Sequence, residues 1–204
     1  MVRGLKKFGD YFSKYSDQYV LIGGAACELI MEEAGLGFRS TKDLDIVLCV
    51  EALDAVFVKT FWSFIKDGRY KIQQSDFGVN RYYRFQKPEE EEYPKVIELF
   101  SGKLDLVGLA EGGHLTPIPV NEAISSLSAI LLDDSCYQLV LAGRKSIGGI
   151  SIVDAEHLIP LKARAWFDLS GRRSSGEEVD SHTIKKHKND IFRLYQVIDP
   201  GFDG

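Results

Sequence analysis

The chain has 204 residues, 45% hydrophobic and 27% charged, an ordinary globular balance with apolar material for one large or two small domains. No apolar run approaches the ~18–20 residues needed to cross a bilayer, and Met1-Val2-Arg3-Gly4-Leu5-Lys6-Lys7 lacks the apolar core of a signal peptide. The net charge of −5 argues against a general nucleic-acid coat, although RNA stays open because the charges segregate. Acidic residues gather at Glu89-Glu90-Glu91-Glu92, basic ones at Arg172-Arg173 and Lys185-Lys186-His187-Lys188. The basic groups read either as solvated helix faces or as a basic face beside an acidic site. Cys27, Cys49 and Cys136 are odd in number and lack metal-ligand spacing, which predicts buried thiols in a reducing, cytoplasmic setting.

Leu5 to Tyr15 carries Leu5, Phe8, Phe12 and Tyr15 at helical spacing and is predicted as an amphipathic helix. Tyr19-Val20-Leu21-Ile22 then forms an apolar strand run ended by Gly23-Gly24. Ala25 to Glu33 has good helix formers, and Gly35 and Gly37 end it. After the loop from Phe38 to Lys42, Asp43-Leu44-Asp45-Ile46-Val47-Leu48 reads as a strand. Alternation puts Asp43 and Asp45 on one face, Cα atoms roughly 6.5–7 Å apart, with Leu44 and Ile46 toward a core.

Two carboxylates that close raise each other's pKa, and burial adds to the effect. A divalent cation removes the conflict, and Mg²⁺ typically takes one or two carboxylates plus substrate phosphate oxygens. The Gly-Gly turn opening a helix supplies the complement: backbone able to approach a ligand, and free N–H groups that attract phosphate. The unit from Tyr19 to Leu48 therefore reads as a phosphate cradle followed by a carboxylate pair.

Further along, Ala52 to Lys66 is predicted helical, with Gly68 as its stop. Arg69 to Ser75 and Asn80 to Gln86 are predicted strands around Asp76-Phe77-Gly78, and Arg84 reads as an ordinary strand arginine or a phosphate contact. Pro88 to Pro94 is a charged loop. Lys95 to Phe100 is a strand in which Glu98 interrupts an apolar run, and an unpaired glutamate is rarely buried. Gly108 to Pro119, with His114, reads as a loop, and Asn121 to Leu132 as a helix. Tyr137 to Leu141 and Gly149 to Val153 are predicted as a strand hairpin around Gly143-Arg144-Lys145. Asp154 to Ser170 is a helix that Pro160 should start or kink. A charged Gly/Ser loop, Gly171 to Asp180, precedes a last helix from His182 to Ile198 capped by Ser181.

The order Gly23-Gly24, then Asp43-Leu44-Asp45, in a strand–helix–strand setting resembles the nucleotidyltransferase superfamily typified by DNA polymerase beta. Arg39-Ser40-Thr41-Lys42-Asp43-Leu44-Asp45 is similar to the AbiEii-type nucleotidyltransferases, which include toxins of type IV toxin–antitoxin systems. Two C-terminal stretches extend that resemblance: Leu161-Lys162-Ala163-Arg164-Ala165, and Lys185-Lys186-His187-Lys188-Asn189-Asp190-Ile191-Phe192-Arg193-Leu194.

The resemblance implies an α/β (α+β) fold, a mixed sheet flanked by helices over residues 1–119, and a mostly helical part over 120–204 closing a cleft. It implies transfer of a nucleoside monophosphate from an NTP to a hydroxyl or phosphate acceptor, with Mg²⁺ or Mn²⁺. RNA would be an acceptor, and an antitoxin protein a partner. Asp43 and Asp45 would hold the metal, with Glu98 as third carboxylate and Asp105 as its rival. Gly23, Gly24 and Thr41 would hold phosphate oxygens. Arg39 and Lys162 would offset phosphate charge, and Asp190 would stand on the nucleotide side. Two other functions stay open, a nucleotide-binding regulatory module without turnover and an enzyme acting on a small molecule such as an aminoglycoside.

Overall fold

The computed structural model describes residues 2–74, 80–102, 115–117 and 128–198. Its centre is a mixed sheet of nine strands. The unit expected between Tyr19 and Leu48 is present: β1 (Tyr19–Ile22), α2 (Gly23–Glu33) and β2 (Asp43–Leu48). They follow α1 (Leu5–Phe12), which ends sooner than its apolar spacing suggests and passes into a 3₁₀ turn over Ser13–Tyr15. β2 runs antiparallel to β1 and parallel to β5 (Val96–Ser101). On the far side of β5, β4 (Asn80–Gln86) covers the first half and β7 (Ser128–Leu131) the last two residues. β3 (Lys71–Gln74) pairs with β4, and β6 (Leu115–Pro117) pairs with β7.

Beyond β1, the sheet is completed by the hairpin of β8 (Arg144–Ile147) and β9 (Ile150–Val153), β9 lying parallel to β1. The sheet thus takes strands from both sides of residue 119. One face is sealed by α1 and α3 (Ala55–Asp67). There Phe8, Phe12, Phe57, Phe61 and Phe64 pack with Tyr19 as a chain of stacked and edge-on rings, a geometry that adds to the plain burial of their area. The other face is covered by α2, α5 (Ala155–Ser174) and α6 (Ser181–Leu194), and α5 and α6 lie against each other.

Several local expectations are corrected. Tyr137 to Leu141 is not a strand but lies in α4 (Asp134–Ala142). Asp133 accepts a hydrogen bond from Cys136 N as the N-cap, and Tyr137 and Val140, three residues apart, form its buried side. The hairpin exists, but its first strand starts after Gly143. Of the predicted helix from Asn121 to Leu132, residues 128–131 form β7, and residues 118–127 lie outside the described residues, as do Asp105 and His114.

The last helix is capped by Asp180, which accepts from His182 N and Thr183 N, rather than by Ser181. It ends at Leu194, and a 3₁₀ turn follows over Tyr195–Val197. α5 runs through Pro160 and continues to Ser174, shortening the predicted loop. α3 begins at Ala55 because Asp54 caps it, accepting from Phe57 N at 2.7 Å. The three cysteines are free, but Cys136 is only half-buried. Among the described residues no helix is long and apolar enough to cross a membrane.

Candidate functional site

Strand register gathers the site. Arg84 of β4 stands opposite Glu98 of β5, Glu98 opposite Asp45 of β2, and Asp45 opposite Ile22 of β1. These four residues form one row across the sheet, on the face covered by α5 and α6. The expected shared face of the Asp pair places Asp43 at the exposed start of β2 and Asp45 half-buried, while Leu44 and Ile46 go to the core.

Gly23 is pressed against this row. It has φ +68, and a Cβ there would run into the carboxylate of Asp45. The Gly-Gly turn therefore lets backbone pass directly over Asp45 as α2 begins. Burial, and then the charge of Glu98, push the Asp45 carboxyl up to about 6. Among the described residues no side chain or backbone group pairs with it. Glu98 is held by Arg84 at 3.0 Å.

The loop between α2 and β2 is fixed from both sides. Glu28, 2% exposed within α2, accepts a hydrogen bond from Thr41 N at 2.7 Å, and Thr41 O accepts one from Arg3 N at 2.9 Å. This places Thr41 and Arg39 beside Gly24. Glu28 went unrecognised in the sequence, where it is one of several glutamates on α2. Only its burial distinguishes it.

Lys162 and Asp190 come together, as their spacing on two separate helices did not reveal. Lys162 Nζ donates to Asp190 Oδ2 at 3.0 Å, with the two residues 4% and 1% exposed. Arg39 donates to the same carboxylate through Nε and a terminal nitrogen, at 3.3 and 3.0 Å. Burial works to raise the Asp190 carboxyl. The Arg39 hydrogen bond and the Lys162 charge outweigh it and hold the group below the usual carboxylate range.

A polar cleft of about 390 Å³ opens above these residues. Gly24, Arg39, Thr41 and Lys186 line it together with Asp43, Asp45, Arg84 and Glu98. Lys162 instead faces a neighbouring, apolar cavity. Lys186 is the cation that α6 contributes to the cleft; the sequence reading placed it in a basic stretch, either a solvated helix face or a basic face beside an acidic site, and did not single it out. Burial lowers its pKa, and the nearby charges of Arg39 and Lys162 lower it further, against a smaller opposing effect of the Asp190 and Asp45 carboxylates.

Of the buried side-chain polar atoms without a hydrogen-bond partner among the described residues, three belong to residues that line this cleft: Thr41 Oγ1, Arg84 Nε and His187 Nδ1. Buried polar groups are normally paired, and leaving one unpaired costs roughly 1–3 kcal/mol. A ligand with several acceptor oxygens would satisfy the first two.

Among the described residues no three His, Cys, Asp or Glu side chains stand as a ready cluster for an ion. The chemistry of the donors suits a hard cation all the same: Asp43, Asp45 and Glu98 offer oxygen ligands only. Asp45 and Glu98 are in direct register, and among the described residues no hydrogen-bond or ion-pair partner holds the Asp45 carboxylate.

No family model, curated protein or solved structure matches this chain.

Proposed function

We propose that the protein is a metal-dependent nucleotidyltransferase that moves a nucleoside monophosphate from an NTP to an acceptor hydroxyl or phosphate. The observation that carries this reading is the row Glu98–Asp45 with Gly23 pressed on it. Two adjacent carboxylates, one half-buried and without a pairing partner among the described residues, line a cleft that the cations Arg39, Arg84 and Lys186 also line. That mixture of charges suits a cation held between carboxylates and phosphate better than either charge alone. The resemblance of Gly23-Gly24, Asp43-Leu44-Asp45, Lys162 and Asp190 to AbiEii-type nucleotidyltransferases points the same way.

Asp43, Asp45 and Glu98 would hold Mg²⁺ or Mn²⁺. When bound, the ion supplies charge to the phosphate oxygens and stabilises the leaving pyrophosphate. The chain's own groups do the rest. The free N–H groups at the start of α2 and the Thr41 hydroxyl donate to phosphate oxygens. Arg39 and Lys186 offset their charge, the largest single aid to such a transfer. Glu98, held by Arg84, would complete the carboxylate set or take the acceptor's proton. Asp190 keeps Arg39 in place.

The Arg84–Glu98 pair at 3.0 Å also favours a second reading, a nucleotide-binding module that keeps the cleft without turnover. RNA as acceptor, in a toxin paired with an antitoxin, follows from the resemblance alone.

The test is incubation with each labelled NTP and Mg²⁺, together with total cellular RNA or an aminoglycoside, while pyrophosphate release is followed. Label in one acceptor fraction, lost in Asp45→Asn, is the expected result. Tight NTP binding with no pyrophosphate release in any mixture establishes the second reading. Absence of both binding and release overturns both.

A further inference from the structure

Beside the polar cleft lies a second cavity of about 310 Å³. Most of its lining is apolar, with Ile22 and Phe100 from the sheet and Leu158, Leu161 and Ala165 from α5, and Lys162, tied to Asp190, borders it. It shares Asp45, Glu98 and His187 with the cleft, so the two spaces join at the carboxylates. His187 is the polar group at this junction left without a task. Its Nδ1 is buried and has no hydrogen-bond partner among the described residues. Burial, aided by the charges of Lys162 and Lys186, pushes the imidazole down to about 4. The ring is therefore neutral, and its tautomer decides whether Nδ1 donates or accepts.

We infer that the apolar cavity receives a nucleobase and that His187 Nδ1 hydrogen-bonds to that base, making His187 a specificity-determining residue. The inference rests on the nucleotidyl-transfer reading and adds to it the place and partner of the base. A nucleobase has two apolar faces for the aliphatic walls and a polar edge for His187. An aliphatic ligand would leave Nδ1 unpaired. A sugar or aminoglycoside could pair a few polar groups with Asp45 and Glu98 at the junction, but those deeper in would lie unpaired against Ile22, Phe100 and Leu161. The join at Asp45 and Glu98 is where a base on one side connects to phosphate on the other.

The base belongs either to the NTP or to the acceptor, and calorimetry in Mg²⁺ separates the two. The ligands are each NTP, inorganic tripolyphosphate, and a dinucleotide titrated into tripolyphosphate-saturated protein. Leu161→Trp fills the cavity, and Ala165→Phe is a second filler should the first not fold. The expected result is that a filler leaves tripolyphosphate affinity unchanged, which also shows that the cleft is intact. It weakens a base-bearing ligand at least tenfold. Loss of NTP affinity assigns the donor's base, and loss of dinucleotide affinity assigns the acceptor's. His187→Ala should narrow the spread of affinities among the four bases. If the fillers weaken none of the base-bearing ligands, or if these bind wild type no better than tripolyphosphate does, the inference is wrong while the cleft reading stands. If wild type binds neither tripolyphosphate nor any NTP, the nucleotidyl-transfer reading fails first and the base site with it.

Discussion

Lys162 and Asp190 meet at 3.0 Å across α5 and α6, both side chains almost without solvent, and Arg39 grips the same carboxylate from the loop before β2. One carboxylate thus joins three segments far apart in sequence. Removing one member of a buried pair leaves an uncompensated charge, which costs about 3–5 kcal/mol. Asp190→Ala strands two cations and should lose stability near that range. Lys162→Met should lose less, because Arg39 still neutralises Asp190. Urea unfolding of both variants checks this, and equal midpoints for Asp190→Ala and wild type would show that the pair contributes nothing.

Asp45 and His187 give opposite pH signatures. The Asp45 carboxyl rises from 3.8 to about 6 on folding. Between those values the native state holds a proton that the unfolded chain has released. Stability from this group is present below pH 4 and is lost as pH rises toward 6, by at most about 3 kcal/mol. His187 falls from 6.5 to about 4. Its stability is present above pH 6.5 and is lost as pH falls toward 4. In metal-free wild type the two trends offset each other. Asp45→Asn should then lose stability steeply on acidification and gain it at pH 7 relative to wild type, and His187→Leu should do the reverse. Unfolding midpoints from pH 4 to 8 in the presence of EDTA test this. Variants that both follow the wild-type profile would contradict it.

The central unit was legible because its signals are local. A four-residue apolar run, a Gly-Gly stop and alternating Asp residues each depend on neighbours in sequence. Glu98 was legible for a related reason, as one charge in an apolar strand. The pairing of Glu98 with Arg84 was not, because register across β4 and β5 is a long-range choice. Tyr137 to Leu141 misled because a short apolar run fits strand and helix alike, and the Asp133 cap decided it. Lys162 and Lys186 show the remaining gap. Both lie on helices with apolar faces, yet the packing of α5 on α6 aims one at Asp190 and the other into the cleft.

Gly23→Ala separates site geometry from backbone strain when compared with Gly35→Ala. Both glycines have φ near +70, but nothing lies within 4 Å of a Cβ at Gly35, whereas one at Gly23 meets Asp45. Gly35→Ala should cost only the left-handed backbone penalty of roughly 1–2 kcal/mol and leave NMP transfer at its wild-type rate. Gly23→Ala carries that penalty and also displaces Asp45, so turnover should fall at least a hundredfold. Equal turnover in the two variants would remove Gly23 from the site.

Lys186 is the remaining test of how phosphate charge is balanced. A triphosphate with its metal keeps net negative charge, and the N–H groups at the start of α2 offset only part of it. Arg39 faces the cleft but already shares its charge with Asp190. Lys162 is tied to the same carboxylate and turned to the apolar cavity. Lys186 lines the cleft with no ion pair among the described residues, and its depressed pKa reflects burial beside two other cations. An anion entering the cleft relieves that repulsion, so Lys186 gains most from the ligand. A charge-assisted contact is worth about 1.5–3 kcal/mol. Lys186→Ala should therefore raise the KM for NTP by about tenfold or more, with unfolding midpoints near wild type. The penalty should grow at low ionic strength, where an unscreened charge counts for more. Lys162→Ala should instead lower stability more than it raises KM. The reverse pattern, KM set by Lys162 and untouched by Lys186, would mean that the triphosphate lies over the apolar cavity and that the two spaces have exchanged roles.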